Sequence, residues 1–244
     1  MRLLLSAFLI FLTWIARAED EANNAFSIGA DLVSTYVWRG SYQAGTSFQP
    51  TMGYSLGGFS VDVWGSVDIA GFGYKEVDFS ASYTHKNFTA GLSDYWVGGE
   101  MSYHYFDYSK TTIHLLEASL LYRCERIPLS VGWYAIVAGD EWYTKYEKKG
   151  KTKKAFPAYL ETSYTFYLKD VSLETSVGVS PWQSSRFYNR YEEGGQTDGF
   201  AVINLSLKAC KEIRITDRYC LPVFGQLILN PAKEDVFLVF GIKF

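Results

Sequence analysis

Beyond Ile15 the chain has no apolar run that approaches the roughly 20 residues a membrane-spanning helix needs, so a membrane reading rests on strands or on nothing. Histidine and cysteine are scarce, at three each. No His lies near Cys210 or Cys220, which leaves a zinc site short of ligands. There is no phosphate-binding glycine loop and no dinucleotide fingerprint. Basic residues do not exceed acidic ones (23 against 26), so nothing points to a nucleic-acid partner. These absences exclude the common cofactor and nucleotide chemistries. No catalytic residue, metal ligand or cofactor is assigned, and the chain is expected not to be an enzyme.

What is abundant is aromatic. Phe, Trp and Tyr make up 18% of the chain, with 19 Tyr, beside 21 Gly and only 6 Pro. Rings at an interface and frequent turns suit a transmembrane barrel, and they suit a soluble sandwich equally. The first eighteen residues read as a secretory signal: Arg2, an apolar run from Leu3 to Ile15, then Ala16-Arg17-Ala18 as an A-x-A cleavage site. Residues 19–244 would then form one domain. Losing Arg2 and Arg17 takes the formal charge from −3 to −5.

Period-2 alternation runs through residues 19–244 and predicts strands at 26–38, 48–56, 59–68, 76–84, 88–97, 112–122, 129–138, 158–167, 171–180, 199–208, 221–229 and 236–244. On the fourth, Val77, Phe79, Ala81 and Tyr83 share one parity, and Glu76, Asp78, Ser80 and Ser82 the other. The fifth breaks the rule, because Asp94 falls on the apolar parity; a bulge near Ser93 would restore it. The eleventh is blurred by Pro222 and Phe224.

Connections decide between barrel and sandwich. After even-numbered strands they are mostly short, such as Gly57-Gly58 and His85-Lys86-Asn87. After odd-numbered strands they are mostly long. The cysteine-bearing 209–220 is too long for its class, and 230–235 is too short. Short turns at one end and long loops at the other are the plan of outer-membrane barrels. The expected fold is all-β: a closed antiparallel transmembrane β-barrel of about twelve strands, up and down. The last strand carries Leu238, Phe240, Ile242 and Phe244 on its outward parity. That pattern is expected to be read by the barrel-assembly machinery. Trp38, Trp96, Trp133, Tyr83, Tyr122 and Tyr164 are expected in interfacial girdles against outer-membrane lipid.

Ser34-Thr35-Tyr36-Val37-Trp38-Arg39-Gly40, with Gln43 following, resembles the first-strand motif S-x-Y-x-[FW]-R-G-x-x-Q of the TorF-like porin family. Gly57-Gly58-Phe59 with Trp64-Gly65-Ser66 is similar to that family's second hairpin, and Glu76-Val77-Asp78 through Tyr83 to its fourth strand. The likeness covers roughly the first third of residues 19–244. It implies a porin-like outer-membrane barrel of a Gram-negative bacterium and no particular substrate.

The inward parity carries Asp31, Asp62, Asp78, Glu117, Glu161 and Glu174 against Arg39, Lys208 and Lys243. Acidic linings favour cations, so the expected activity is passive diffusion of small polar or cationic solutes. Inward rings such as Trp64, Tyr95, Tyr134 and Tyr159 would narrow the passage. One alternative is a structural or surface-binding barrel with a plugged lumen. Another is a lipid hydrolase at the rim, built on outward-facing His114 with Ser109 nearby. The external loops set aromatic residues beside charge, as in Trp142-Tyr143 and Phe187-Tyr188, and the fourth is lysine-rich from Lys145 to Lys154. Cys210 and Cys220 flank a charged stretch and are expected to form a disulfide in the connection between strands ten and eleven, with Cys124 unpaired.

Overall fold

The computed structural model describes residues 25–71, 73–98, 104–108, 113–139, 145–148, 151–184, 188 and 199–244. The proposed signal segment 1–18 lies outside the described residues, as do Ser109, Trp142-Tyr143 and Phe187. The strands are β1 (Ala25–Val33), β2 (Tyr36–Trp38), β3 (Ser41–Ala44), β4 (Ser47–Leu56), β5 (Phe59–Asp68), β6 (Lys75–His85), β7 (Phe88–Gly98), β8 (His114–Arg123), β9 (Leu129–Gly139), β10 (Lys145–Lys148), β11 (Lys151–Lys154), β12 (Ala158–Leu168), β13 (Val171–Ser180), β14 (Ala201–Thr216), β15 (Tyr219–Asn230) and β16 (Asp235–Lys243).

Twelve of them close into an antiparallel barrel in the order β1-β16-β15-β14-β13-β12-β9-β8-β7-β6-β5-β4. Two small hairpins, β2–β3 and β10–β11, stand apart from the ring. The second is the lysine-rich fourth loop. No described helix is long and apolar enough to cross a membrane. The alternation dictates the facing. Phe26, Ile28, Phe79, Leu207, Leu227, Leu238 and Phe240 stand exposed on the outer wall. So continuous an apolar skin is untenable in water and is what a hydrocarbon surround requires. Tyr83 and Trp133 are exposed on that wall, and Phe88 packs on Tyr122 with ring centroids 5.0 Å apart.

Four expectations need correction. The predicted first strand ends early: β1 stops at Val33, and Tyr36–Trp38 belongs to the separate β2–β3 hairpin. Trp38 is therefore not a girdle residue. Its turn is Arg39-Gly40, with φ of 48° and 75°. Positive φ at both central residues is the type I′ turn, whose twist suits a two-residue hairpin.

The 209–220 connection is not a loop. β14 and β15 run on through it to a two-residue turn at Asp217-Arg218. The plan of short turns at one end thus holds there too. Beyond Lys211 and Val223 this hairpin has no partner on either flank, so it projects past the rim. Pro222, which cannot donate to a ladder, sits on that free edge.

The disulfide falls with that loop. Cys210 pairs across the ladder with Phe224, and Cys220 with Arg214. Four rows separate them, roughly 13 Å at strand rise. Bridged Cα atoms must lie within about 7 Å. Cys124, Cys210 and Cys220 are all free.

The fifth predicted strand has no bulge at Ser93. β6 and β7 pair without interruption from Lys75↔Gly98 to His85↔Phe88. Asp94 does point outward, and the loop segment around Tyr105 covers it. Bulges fall instead between Leu116 and Glu117, between Gly178 and Val179, and between Arg214 and Thr216.

Iodoacetamide applied to the denatured, unreduced protein should therefore add three adducts by intact mass; a single adduct would mean a Cys210–Cys220 bridge. In the folded protein Cys124 should react first near pH 7, because the backbone N–H groups of Arg126 and Ile127 hold its thiol below the usual range. Val177→Arg places a charge on the outer wall of β13 and should cost about 2–4 kcal/mol at mid-bilayer depth. Asp62→Asn, on the inner wall, should assemble normally. The fraction showing heat-modifiable gel mobility distinguishes them.

Candidate functional site

A ring of twelve strands spaced about 4.8 Å apart and tilted about 40° has a backbone diameter of about 24 Å. Inward side chains leave a gap of roughly half that, too wide for the walls to fill alone. The β2–β3 hairpin enters this gap. It hangs from the loop-end connection between β1 and β4, yet Arg39 at its tip meets residues of β8, β9 and β12, which lie across the ring.

Two contacts fix the tip. Asn230 Nδ2, at the end of β15, donates to the Gly40 carbonyl at 2.9 Å. A Cβ on Gly40 would stand 1.9 Å from the Ile203 carbonyl oxygen, so only glycine allows this approach, quite apart from its positive φ. On the wall, the bulge at β13–β14 leaves Ile203 unpaired with β13 and buried beneath the hairpin.

Arg39 lies in a closed cage. Its Nη1 donates to Glu117 Oε2 at 2.6 Å and its Nη2 to Oε1 at 2.9 Å, a two-point fork. Nη1 also donates to the Tyr188 hydroxyl at 2.6 Å. Tyr95 donates its hydroxyl to Glu117 Oε1 at 2.8 Å, so the carboxylate is held from a second side. Above and below the guanidinium stand three rings: Tyr134 at 4.2 Å, Trp38 at 4.4 Å and Tyr159 at 4.7 Å from its carbon. Trp38 packs edge-on to Tyr95, and Tyr159 stacks on Tyr188. The two charged side chains are 9% and 2% exposed. Gly132 and Gly178 leave the room that Tyr134 and Tyr159 fill; a Cβ on Gly178 would stand 2.1 Å from the Tyr159 hydroxyl.

Taking two ions out of water costs several kcal/mol each, and the attraction repays this only with good geometry and further hydrogen bonds. Here the fork, two tyrosine hydroxyls and three ring faces supply both. Desolvated cation–π contacts contribute about 2 kcal/mol.

The other expected lumen residues are spread through the barrel. Glu161 lies next to the cage, accepting from the Tyr159 hydroxyl and from Asn204 Nδ2 at 3.3 Å. Asp78 is buried on β6 opposite Trp64 and Tyr95, and its Oδ1 has no hydrogen-bond partner among the described residues. Asp68, which the alternation did not single out, is similar: Oδ1 accepts from the Ala70 N–H at 2.7 Å, while buried Oδ2 has no partner among the described residues. Glu76 accepts from the Tyr74 hydroxyl at 2.8 Å. Asp62 faces the Gly53 and Ser80 positions of its neighbours. Glu174 lies opposite Lys208, whose Nζ sits 4.1 Å over the Phe224 ring. Asp31 pairs with Lys243 at 3.4 Å across the closing seam. The structure thus joins Arg39 to Glu117 and sets Glu161 beside them; it does not gather the rest.

His114 lies on the outer wall. Its Nδ1 is 2.9 Å from Asp94 Oδ1, and its Nε2 is 2.5 Å from the Tyr105 carbonyl oxygen. Asp94 also accepts from the Tyr105 and Tyr108 hydroxyls. Tyr105 packs over Trp96, which is buried there rather than standing in a girdle. A nitrogen committed to a carbonyl is not placed to take a proton from a serine hydroxyl.

Tyr188 and Trp38 are the cage members that alternation misses. The first sits in a loop, and the second was read as outward. The Arg39-Gly40 pair was the available signal, since a glycine after a positive-φ residue ends a strand in a tight turn.

No family model and no curated protein matches the chain. Among solved structures it is similar to a mutant of the Rh. blastica porin, at 12% identity over 91% of this chain and 73% of that one, with a TM-score of 0.41. It is similar to the NanC porin, at 8% identity over 90% and 98%, with a TM-score of 0.44. It is also similar to a Pseudomonas aeruginosa FadL homologue, at 11% identity over 89% and 74%, with a TM-score of 0.37.

The cage carries a prediction. Glu117→Ala leaves a guanidinium buried without its anion and should destabilise the barrel by about 3–5 kcal/mol. Arg39→Met with Glu117→Leu should cost less than the two single changes added together. Urea unfolding in detergent micelles measures the cycle. Additive changes would mean the pair is energetically uncoupled.

Proposed function

We propose that the chain is a porin-like outer-membrane barrel that passes small polar or cationic solutes, with the β2–β3 hairpin as its constriction. The apolar outer wall and polar inner wall support a membrane-embedded barrel. The resemblance of Ser34–Gly40 to the TorF-like porins agrees with it, and the residues that carry that motif form the constriction itself. We assign no catalytic role to the chain.

One observation carries the solute preference. Among the described residues the inner wall carries the carboxylates of Asp31, Asp62, Asp68, Glu117, Glu161 and Glu174 against the cations Arg39, Lys208 and Lys243, and Arg39 is committed to Glu117. Asp68 Oδ2 has no hydrogen-bond partner among the described residues. Uncompensated carboxylates in a low-dielectric wall create a negative potential that enriches cations.

A second reading keeps a specific observation in its favour. The cage packs Leu115, Ile136, Tyr159, Tyr188, Ala201 and Ile203 into one buried cluster at the hairpin tip. A lumen sealed there would make the barrel a structural or surface-binding element.

Single-channel recording in a planar bilayer separates the two. The first expects conductance with a cation-selective reversal potential in a salt gradient. The preference should weaken from 0.1 M to 1 M salt, as the Debye length drops from about 10 Å to about 3 Å. Asp62→Asn combined with Asp68→Asn should reduce the selectivity. Anion selectivity would refute the solute assignment, and absence of conductance would establish the sealed barrel.

A further inference from the structure

The socket around Arg39 is more elaborate than a structural pin requires. A hairpin tip can be held by its backbone, as Gly40 is by Asn230. The turn type favours Asn or Gly at the position Arg39 occupies, and a longer side chain at φ 48° is strained. The strained residue is the one whose side chain fills the socket. Most of that socket belongs to the barrel and not to the hairpin: Glu117 and Tyr95 on β8 and β7, Tyr134 on β9, Tyr159 on β12. It offers a carboxylate in fork geometry, a hydroxyl beside it and ring faces at 4.2 Å and 4.7 Å. Each of these elements recognises a planar cation, whatever chain that cation is attached to.

We propose that this socket is a binding site for a solute bearing a guanidinium group, and that Arg39 is its tethered stand-in, displaced when such a solute arrives. The proposal rests on the channel reading only for how the solute reaches the socket. A free guanidinium and Arg39 compete for the same carboxylate and the same rings. The solute therefore binds the state in which the hairpin has withdrawn and raises that state's population by mass action. The same geometry discriminates by charge and shape. Urea has the plane and the hydrogen-bond donors without the charge, and leaves Glu117 uncompensated. Potassium has the charge without the plane.

The test is calorimetric titration of the full-length barrel in detergent with methylguanidinium chloride, with urea and potassium chloride as controls. Arg39→Gly empties the socket with the residue the turn prefers, and Arg39→Asn is a second variant should that one fail the heat-modifiability check for folding. Either should bind methylguanidinium saturably. Wild type should bind it too, about tenfold more weakly, since Arg39 must first be displaced. Adding Glu117→Gln to the emptied socket should abolish the binding. Three results would overturn the proposal: no saturable binding by the folded variants, equal binding of urea, or no binding by wild type at a hundred times the variant's Kd. That last result would make the socket a structural pin. Conductance is read separately, so a silent bilayer with intact binding removes the channel reading and leaves the socket.

Discussion

Every strand in an apolar medium must give its backbone N–H and C=O groups to a neighbouring strand, because the surroundings offer no partner. That constraint forces this sheet to close, and the rest of the molecule follows from the closure. It fixes the alternation of apolar outside and polar inside, and it creates an enclosed volume that must be dealt with. The demand is met unevenly. Most neighbours share eight or more paired rows, whereas β1 and β16 share three, extended by the bonds between Ala30 and Phe244 and by Ser34 to Phe240. The ring is closed by its shortest ladder, with the Asp31–Lys243 pair beside it on the inner side.

The enclosed volume explains the hairpin. A ring of eight strands is filled by its own side chains, and one of sixteen leaves a water channel. Twelve leaves a gap that one two-stranded ribbon fits. The ribbon brings polar backbone and a cation into a space lined by carboxylates, and its tip is satisfied by the far wall. Charge and hydrogen bonding are therefore balanced at the Arg39 end. Hydrogen bonding is less complete at Asp68 and Asp78, where one oxygen of each has no partner among the described residues.

The outer wall carries a polar pair at Asp94 and His114. The two satisfy each other, and the segment bearing Tyr105 and Tyr108 folds down over them, with Phe106 turned outward. A hydrogen-bonded polar pair on an apolar face is tolerated because a local cover of rings shields it from the hydrocarbon. Nothing in a single strand's pattern announces such a cover; in sequence it looks like an error of register.

The sequence by itself determined what depends on neighbours along the chain. Alternation assigned the inner and outer parity of Asp31, Asp62, Asp78, Glu117, Glu161 and Glu174. The lengths of the connections decided barrel over sandwich. Tyr95, Tyr134 and Tyr159 were legible as inward rings. Side-chain facing in a strand has period two, so these properties are local. What the tertiary structure decided was every contact between residues far apart in sequence. Arg39 and Glu117 lie 78 residues apart, and no pattern links a turn residue to a strand across the ring. Tyr36 and Trp38 continue the parity of β1 without interruption, so the break at Ser34, which turns them from the membrane to the lumen, is invisible to periodicity. The supposed cysteine loop misled for the complementary reason: charged residues read as a connection, whereas strands that project beyond the rim meet water on both faces and no longer need to alternate.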